Sequence, residues 1–176
     1  MVKKIRLTSK DMRELDRVVG EELLREGIAP GEFDHITYMM PPYKGDEPEG
    51  EVILESWPPG IEIYPKYRTK KSILGTLKHE LGHLGELKSR GWQTRLGFPE
   101  LWLAEEVKVE GRASSNTVSP RRMATWAYVL AKTGIDRREA WNMVKEEVRS
   151  QGLRVKGRYS LARVERGLFG STDFWD

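Results

Sequence analysis

The chain contains no cysteine, and this absence excludes disulfide bonds and every metal site built on thiolates. It has only three histidines in 176 residues, so a site that uses imidazole has few places to form. No apolar run approaches the ~18–20 residues of a membrane span, and no apolar stretch follows the basic N-terminal residues as it would in a signal peptide. We therefore expect no membrane association and a cytoplasmic protein.

Charge is abundant but unevenly distributed. Charged residues make up 32% of the chain and hydrophobic residues 38%, the composition of a highly charged globular protein. Residues 1–60 carry 8 basic and 13 acidic residues, whereas residues 119–176 carry 12 basic and 7 acidic ones. The densest basic stretch contains Arg154, Lys156, Arg158, Arg163 and Arg166. It predicts either a solvated surface or contact with an anionic partner, which would be nucleic acid or an acidic protein.

Two of the three histidines lie four residues apart, in the sequence His79-Glu80-Leu81-Gly82-His83. On an α-helix, residues i and i+4 share a face, so both imidazoles can bind one metal ion at roughly 2.0–2.1 Å. A glutamate directly after the first histidine lies close to a water molecule on such an ion. This HExxH pattern on a helix is typical of zinc metallopeptidases, in which the glutamate is the general base.

The residues around the motif predict the helix that it requires, over about 70–90. Apolar residues recur there at three- and four-residue steps: Ile73, Leu74, Leu77, Leu81 and Leu84. The two histidines fall nearly opposite this stripe, with Glu80 at its border, so we expect them to face a cleft. Three glycines share a third side of the helix: Gly75, Gly82 and Gly85. Because glycine costs a helix about 1 kcal/mol relative to alanine, we expect another element to pack closely there.

A catalytic zinc site needs a third protein ligand and an open position for water. Metzincins take it from a later histidine, but Ser89 occupies that position here, and His35 lies far upstream. The segment 99–114 predicts a helix on which Glu106 and Glu110 lie one turn apart, beside apolar residues. Two such carboxylates repel each other unless positive charge lies near, and a zinc ion would supply it. From the residues alone, both glutamates remain open as the third ligand.

With these features the chain resembles the gluzincin metallopeptidases, which join an HExxH helix to a glutamate ligand on a later helix. The resemblance covers roughly residues 50–115 and is closest to small phage- and plasmid-associated peptidases that cleave immunity repressors. It implies a Zn²⁺ cofactor, a protein or peptide substrate, and Glu106 as the third ligand. It places Glu110 at an acidic position that lies beside the metal ligands and does not bind the ion. Glu110 is also the alternative third ligand. Val109 and Ala113 stand at two positions that are small in many such families.

The resemblance also extends to the segment before the motif, Ile61-Glu62-Ile63-Tyr64-Pro65. It implies that this segment is an exposed edge strand that holds an extended peptide, so that Ile61, Ile63 and Tyr64 contact the substrate. A donor that stabilises the oxyanion is expected too. Three tyrosines stay open for that role: Tyr43, Tyr64 and Tyr159.

The order of predicted elements indicates an α+β fold. The predicted helices and strands of the first part are helix 8–26, strands 36–40, 51–57 and 61–67, and helices 70–90 and 99–114. After Ser119-Pro120 the chain predicts three helices, at about 120–133, 136–150 and 160–168, with Ser119 as the cap of the first and Asp136 as the cap of the second. We therefore predict a minimal zincin core over residues 1–118 and an all-helical, basic C-terminal extension over residues 119–176, packed on that core.

Three hypotheses about function follow from the sequence. The first is a zinc metallopeptidase in which His79, His83 and Glu106 bind the ion and Glu80 is the general base. The alternative is a non-catalytic, zincin-shaped regulatory module that binds nucleic acid or a protein partner, such as a DNA-bound regulator, through Arg154, Lys156 and Arg158. A third hypothesis is a structural metal site that joins two helices, for which Glu80 would not be needed.

Overall fold

The structure is a computed structural model, and it describes residues 7–38, 50–55, 57–64, 70–93 and 97–170. This part of the chain is mixed α+β and mostly helical, as predicted. The chain divides into two compact units, residues 1–94 and 95–176. The boundary therefore precedes the Glu106 helix and does not follow residue 118 as the sequence suggested. None of the helices in the described ranges is long and apolar enough to cross a membrane.

The first unit combines helices with one small sheet. Its elements are helix α1 (Ser9–Arg25), a 3-10 turn (Pro30–Glu32), strands β1 (Ile36–Tyr38), β2 (Gly50–Ile53) and β3 (Gly60–Ile63), and helix α2 (Lys70–Ser89). The strand order is β1-β3-β2, with β1 parallel and β2 antiparallel to β3. Helix α2 contacts α1 and the strands β2 and β3, so the element that carries the motif lies at the centre of the unit.

Local signals set the elements of this unit, and one buried cluster joins them. Thr8 caps α1 through its hydroxyl, which accepts from the Asp11 N–H, while the Asp11 carboxylate accepts from the Thr8 N–H. The cluster consists of Leu15, Ile28, Ile61, Ile63, Ile73, Leu77, Leu81 and Leu84. The predicted apolar stripe of α2 is confirmed, since four of its five residues belong to this cluster.

The prediction that Ile61, Ile63 and Tyr64 belong to an exposed edge strand is wrong. β3 is the central strand of the sheet, so both of its edges are already paired. Ile61 and Ile63 are each 1% exposed and face the core, because alternate residues of a strand point to one side. The sequence pattern could not reveal this, since the parallel partner β1 lies about 25 residues upstream by the Ile36–Ile61 pairing.

Over residues 97–170, the part that the structure describes, the second unit consists of four helices and one short pair of strands. Its elements are α3 (Glu100–Ala113), β4 (Thr117–Val118), α4 (Pro120–Lys132), α5 (Arg137–Ser150), β5 (Arg154–Val155) and α6 (Leu161–Gly170). The predicted caps are confirmed, with Ser119 before α4 and Asp136 before α5. Leu103 and Val107 of α3 belong to the buried cluster formed with α4, α5 and α6, and for this reason α3 belongs to the second unit.

The prediction that the C-terminal part is all-helical is wrong in one respect. β4 and β5 pair in parallel, with Thr117 opposite Arg154 and Val118 opposite Val155. Strands of two residues are too short to show the alternation by which a strand is read from sequence. The pairing fixes the backbone at the start of the basic stretch.

Candidate metal centre and active site

The two histidines of the motif converge within α2. The Nε2 atoms of His79 and His83 lie 3.1 Å apart, and the two rings are inclined by 77°. Two nitrogens bound at 2.0–2.1 Å to a tetrahedral zinc ion lie about 3.3 Å apart. His79 is 5% exposed, and His83 is half-buried. The same nitrogen of each ring is therefore placed to bind one ion, and the pair fits the predicted metal.

Glu80 is 7% exposed and packs against the start of strand β2. A Cβ atom built on Gly50 would lie 2.9 Å from Glu80 Cγ and 2.9 Å from the Thr76 methyl carbon, Cγ2. Thr76 precedes Glu80 by one helical turn on the same face, and its side chain is stiff because it is β-branched. Glycine at position 50 therefore lets β2 approach the side chain of the predicted general base.

If Glu80 is the general base of a peptidase, as the sequence predicts, replacing Gly50 with alanine is expected to displace Glu80 or Thr76 by several tenths of an ångström and to lower the rate of peptide hydrolysis about tenfold or more, since small misplacements are costly in active sites. Zinc content should stay unchanged, because neither histidine is touched. Peptide hydrolysis and zinc per chain, measured on the same preparation, check this. Gly75→Ala is the control, since a Cβ on that helical residue meets nothing within 4 Å. Equal activity of the two variants would contradict it.

The glycines of α2 do not all serve close packing. A Cβ on Gly85 would lie 2.8 Å from the side-chain Cδ of Glu26, the residue that caps the C-terminus of α1. Gly75 is exposed and meets nothing within 4 Å. The predicted close approach is therefore present at Gly85, where α1 ends, and absent at Gly75.

The two candidate glutamates of α3 have different partners. Glu106 is half-buried, and its Oε2 accepts a hydrogen bond from the indole Nε1 of Trp126 at 3.1 Å. Glu110 is 8% exposed; its Oε1 accepts from the Ser114 hydroxyl at 2.8 Å, and its Oε2 lies 3.4 Å from Nε of Arg122. The guanidinium thus supplies the positive charge that the paired carboxylates were expected to need, and it supplies it to Glu110.

No family model, curated protein or solved structure matches the chain. Metal chemistry is therefore indicated only by the residues of the motif and their geometry.

Trp126 is the residue that sequence reasoning missed. Trp126 is buried among the apolar residues of α4, at 2% exposure. Its indole N–H nevertheless reaches a carboxylate twenty positions earlier in the chain. A tryptophan on an apolar stripe offers a polar N–H as well as a large apolar ring, but nothing in the sequence indicates which acceptor it meets.

His35, the third histidine, does not lie beside His79 and His83. His35 is exposed, with its Nδ1 2.8 Å from the Asp34 carboxylate. Its backbone carbonyl accepts from the Ile61 N–H, near the start of β3, whereas Gly50 and Glu80 meet at the opposite end of that strand. His35 is therefore not a ligand in this arrangement.

The structure describes two of the three tyrosines that were candidates for the oxyanion donor. The Tyr64 hydroxyl lies within hydrogen-bond distance of the carboxylates of Glu51 and Glu62, which face each other across β2 and β3. Burial, and then these hydrogen bonds, raise the pKa of Tyr64 well above its usual range. Tyr64 is thus engaged on the sheet. Tyr43 lies outside the described residues, and Tyr159 lies in the second unit beside Arg158 and Arg163.

Proposed function

We propose that this protein is a zinc-dependent metallopeptidase with a zincin-like core. The observation that carries the proposal is the 3.1 Å separation of the Nε2 atoms of His79 and His83, which suits two ligands of one tetrahedral ion. Its second support is the buried carboxylate of Glu80, which directly follows the first histidine. A site with a purely structural ion has no use for that carboxylate.

His79, His83 and Glu106 would hold the ion. Bound zinc supplies a Lewis acid that polarises the scissile carbonyl and makes water more acidic. Glu80 accepts the proton of the attacking water and delivers it to the nitrogen of the leaving amine. The close approach of Gly50 to the Glu80 side chain supports this role, because it restricts the directions in which the carboxylate can point.

Glu106 is the better third ligand of the two glutamates. The Trp126 indole is a neutral donor, so it orients the Glu106 carboxylate and does not neutralise its negative charge. Hydrogen bonds of this kind are how proteins orient metal-binding side chains. The Glu110 carboxylate, in contrast, already forms an ion pair with the cationic side chain of Arg122. Glu110 therefore acts outside the ligand set and stabilises the helix that carries Glu106.

The strand that we propose to bind the substrate is β2 and not β3. Among the residues that the structure describes, β2 pairs on one side only, and Gly50 at its start packs on Glu80. An extended peptide added to that open edge would form main-chain hydrogen bonds with β2. Every second side chain of the peptide would then contact the protein and contribute to specificity. The substrate class is therefore an extended segment of a protein or peptide.

The proposal is tested by measuring zinc in metal-reconstituted protein. We expect about one zinc ion per chain in the wild type, and none retained through gel filtration in His79→Ala or His83→Ala, because two of three ligands do not hold the ion. His35→Ala is the matched control, since it removes the remaining histidine of the chain and should keep the zinc. Zinc bound equally by all four proteins, or by none, would refute the metal centre.

A second candidate function is nucleic-acid binding by the second unit. The observation that favours it is the exposure of Arg154, Lys156 and Arg158, the residues that the sequence offered as contacts for an anionic partner. The two functions are compatible, because a peptidase that acts on DNA-bound regulators benefits from both. Neither depends on the other for its test.

A further inference from the structure

The stretch from residue 150 to residue 170 combines a dense positive charge with little opposing charge. It contains five basic residues and one acidic residue. The acid, Glu165, pairs with Lys145 of α5 at 3.6 Å. The five basic side chains are all exposed, and none of them forms an ion pair within the described ranges: Arg154, Lys156, Arg158, Arg163 and Arg166. Five cations are thus available to an anionic ligand.

The backbone that carries these cations is held in place. The N–H of Arg154 donates to the carbonyl of Asn116 at 2.9 Å, and the N–H of Lys156 donates to that of Val118 at 2.8 Å. Residues i and i+2 of a strand point to the same side, so Arg154 and Lys156 lie roughly 6.7 Å apart along one face. A Cβ on Gly157 would lie 2.9 Å from Pro120 Cδ, so the turn fits closely against the start of α4. Because this backbone is already held in place, ligand binding loses little conformational entropy there.

An exposed aromatic ring lies among the cations. Tyr159 is 36% exposed, with the guanidinium carbons of Arg163 and Arg158 at 4.5 Å and 5.7 Å from its ring centroid. Both distances are in the range of cation–π contacts, which hold the guanidinium groups near the ring. Aromatic rings and guanidinium planes are the surfaces on which unpaired bases stack.

We infer that Arg154, Lys156, Arg158, Tyr159 and Arg163 form a surface, here called the basic–aromatic surface, that binds single-stranded nucleic acid. A duplex hides the faces of its bases, so it would use the cations but not the ring. An acidic protein would likewise gain from the charges but not from a ring flanked by arginines. Tyr159 therefore decides the class of ligand. This inference specifies the second candidate function and does not rest on zinc chemistry.

The test uses the full chain and a fluorescently labelled oligo(dT) of about 20 nucleotides, longer than the roughly 4–16 nucleotides that one OB fold covers. Fluorescence anisotropy gives the dissociation constant. Tyr159→Ala is expected to weaken binding roughly 5- to 100-fold, the range found when one stacked base loses its aromatic partner. Tyr159→Phe should bind like the wild type, because it keeps the ring.

A charge-matched pair of variants tests the phosphate contacts. Replacing Arg154, Lys156 and Arg158 with alanine should reduce the slope of log K against log salt by about 2, since each phosphate contact to a single strand contributes about 0.7. The control replaces three exposed basic residues of the first unit, Lys10, Arg13 and Lys71, and so changes net charge equally. It should keep the wild-type slope. His79→Ala should also bind oligo(dT) normally, which separates this result from any failure of the metal centre.

Four outcomes would overturn the inference. Because Tyr159→Ala removes the ring on which a base would stack, equal binding of this variant and the wild type excludes stacking. Tighter binding of a duplex of the same length would assign the surface to double-stranded DNA. Binding of a glutamate-rich peptide without binding of oligo(dT) would assign it to an acidic protein. An equal loss in the control triple variant would reduce the effect to net charge.

Discussion

Replacing Glu80 with glutamine is expected to leave zinc bound and to reduce peptide hydrolysis roughly 10²- to 10⁴-fold, the usual contribution of a positioned general base. The substitution keeps the shape of the side chain that packs under Gly50, and it removes only the ability to accept and return a proton. Both histidines remain in place on α2, so the ion should be retained. A glutamine at this position therefore separates the chemistry from metal binding.

The measurement compares the cleavage of a proteome-derived peptide mixture, followed by mass spectrometry, for zinc-loaded wild type and variant. Glu86→Gln is the matched control, because Glu86 lies on the same helix and is buried to a similar degree, at 9% against 7% for Glu80. It should cleave like the wild type. If Glu80→Gln and the wild type give the same cleavage products at the same rate, the ion has a structural role and the peptidase hypothesis fails.

Replacing Glu106 with alanine is expected to abolish stable zinc binding, whereas Glu110→Ala should retain it. Loss of a residue that only orients a ligand costs about 10- to 100-fold in metal affinity, so loss of the ligand itself should cost more than that. Competition with a chromophoric chelator gives the affinities. Glu110→Ala should instead lower the melting temperature, because it removes the carboxylate that pairs with Arg122. Zinc lost in Glu110→Ala and kept in Glu106→Ala would reverse the assignment.

The indole of Trp126 offers a second test of the same assignment. Trp126→Phe removes the N–H that donates to Glu106, and it is expected to weaken zinc binding about 10- to 100-fold. Trp141→Phe is the control, because Trp141 is equally buried in the same cluster and its Nε1 has no hydrogen-bond partner in the part of the chain that the structure describes. Both variants leave a cavity, so both should lose stability, but only Trp126→Phe should lose zinc affinity.

Elements that depend on neighbours in sequence could be predicted well. The apolar stripe of α2 and the caps Ser119 and Asp136 act within one or two helical turns, and each is present as expected. The pairing of His79 with His83 belongs to the same class. The spacing of four residues, on a helix that the surrounding leucines predict, places the two imidazoles on one face whatever the rest of the chain does.

Features that depend on distant parts of the chain could not be predicted. The stretch 61–64 reads as a strand from its own residues, but only its pairing with β1 and β2 decides that it is central and that Ile61 and Ile63 are core residues. The boundary before α3 likewise depends on where Leu103 and Val107 find apolar partners, which lie in α4, α5 and α6. Both are decided by long-range contacts that leave no periodic signal in the sequence.

The sequence by itself therefore determined the chemistry available to this protein: two imidazoles and a carboxylate on one helix, a pair of glutamates on another, and a basic stretch near the end. Tertiary structure decided how those groups are used. It placed Gly50 against Glu80, an indole on Glu106 and a guanidinium beside Glu110, and it fixed the basic stretch against β4. The physical reason is one of range, because residue types and helical spacing are local, whereas hydrogen bonds and close contacts between elements exist only after the chain has folded.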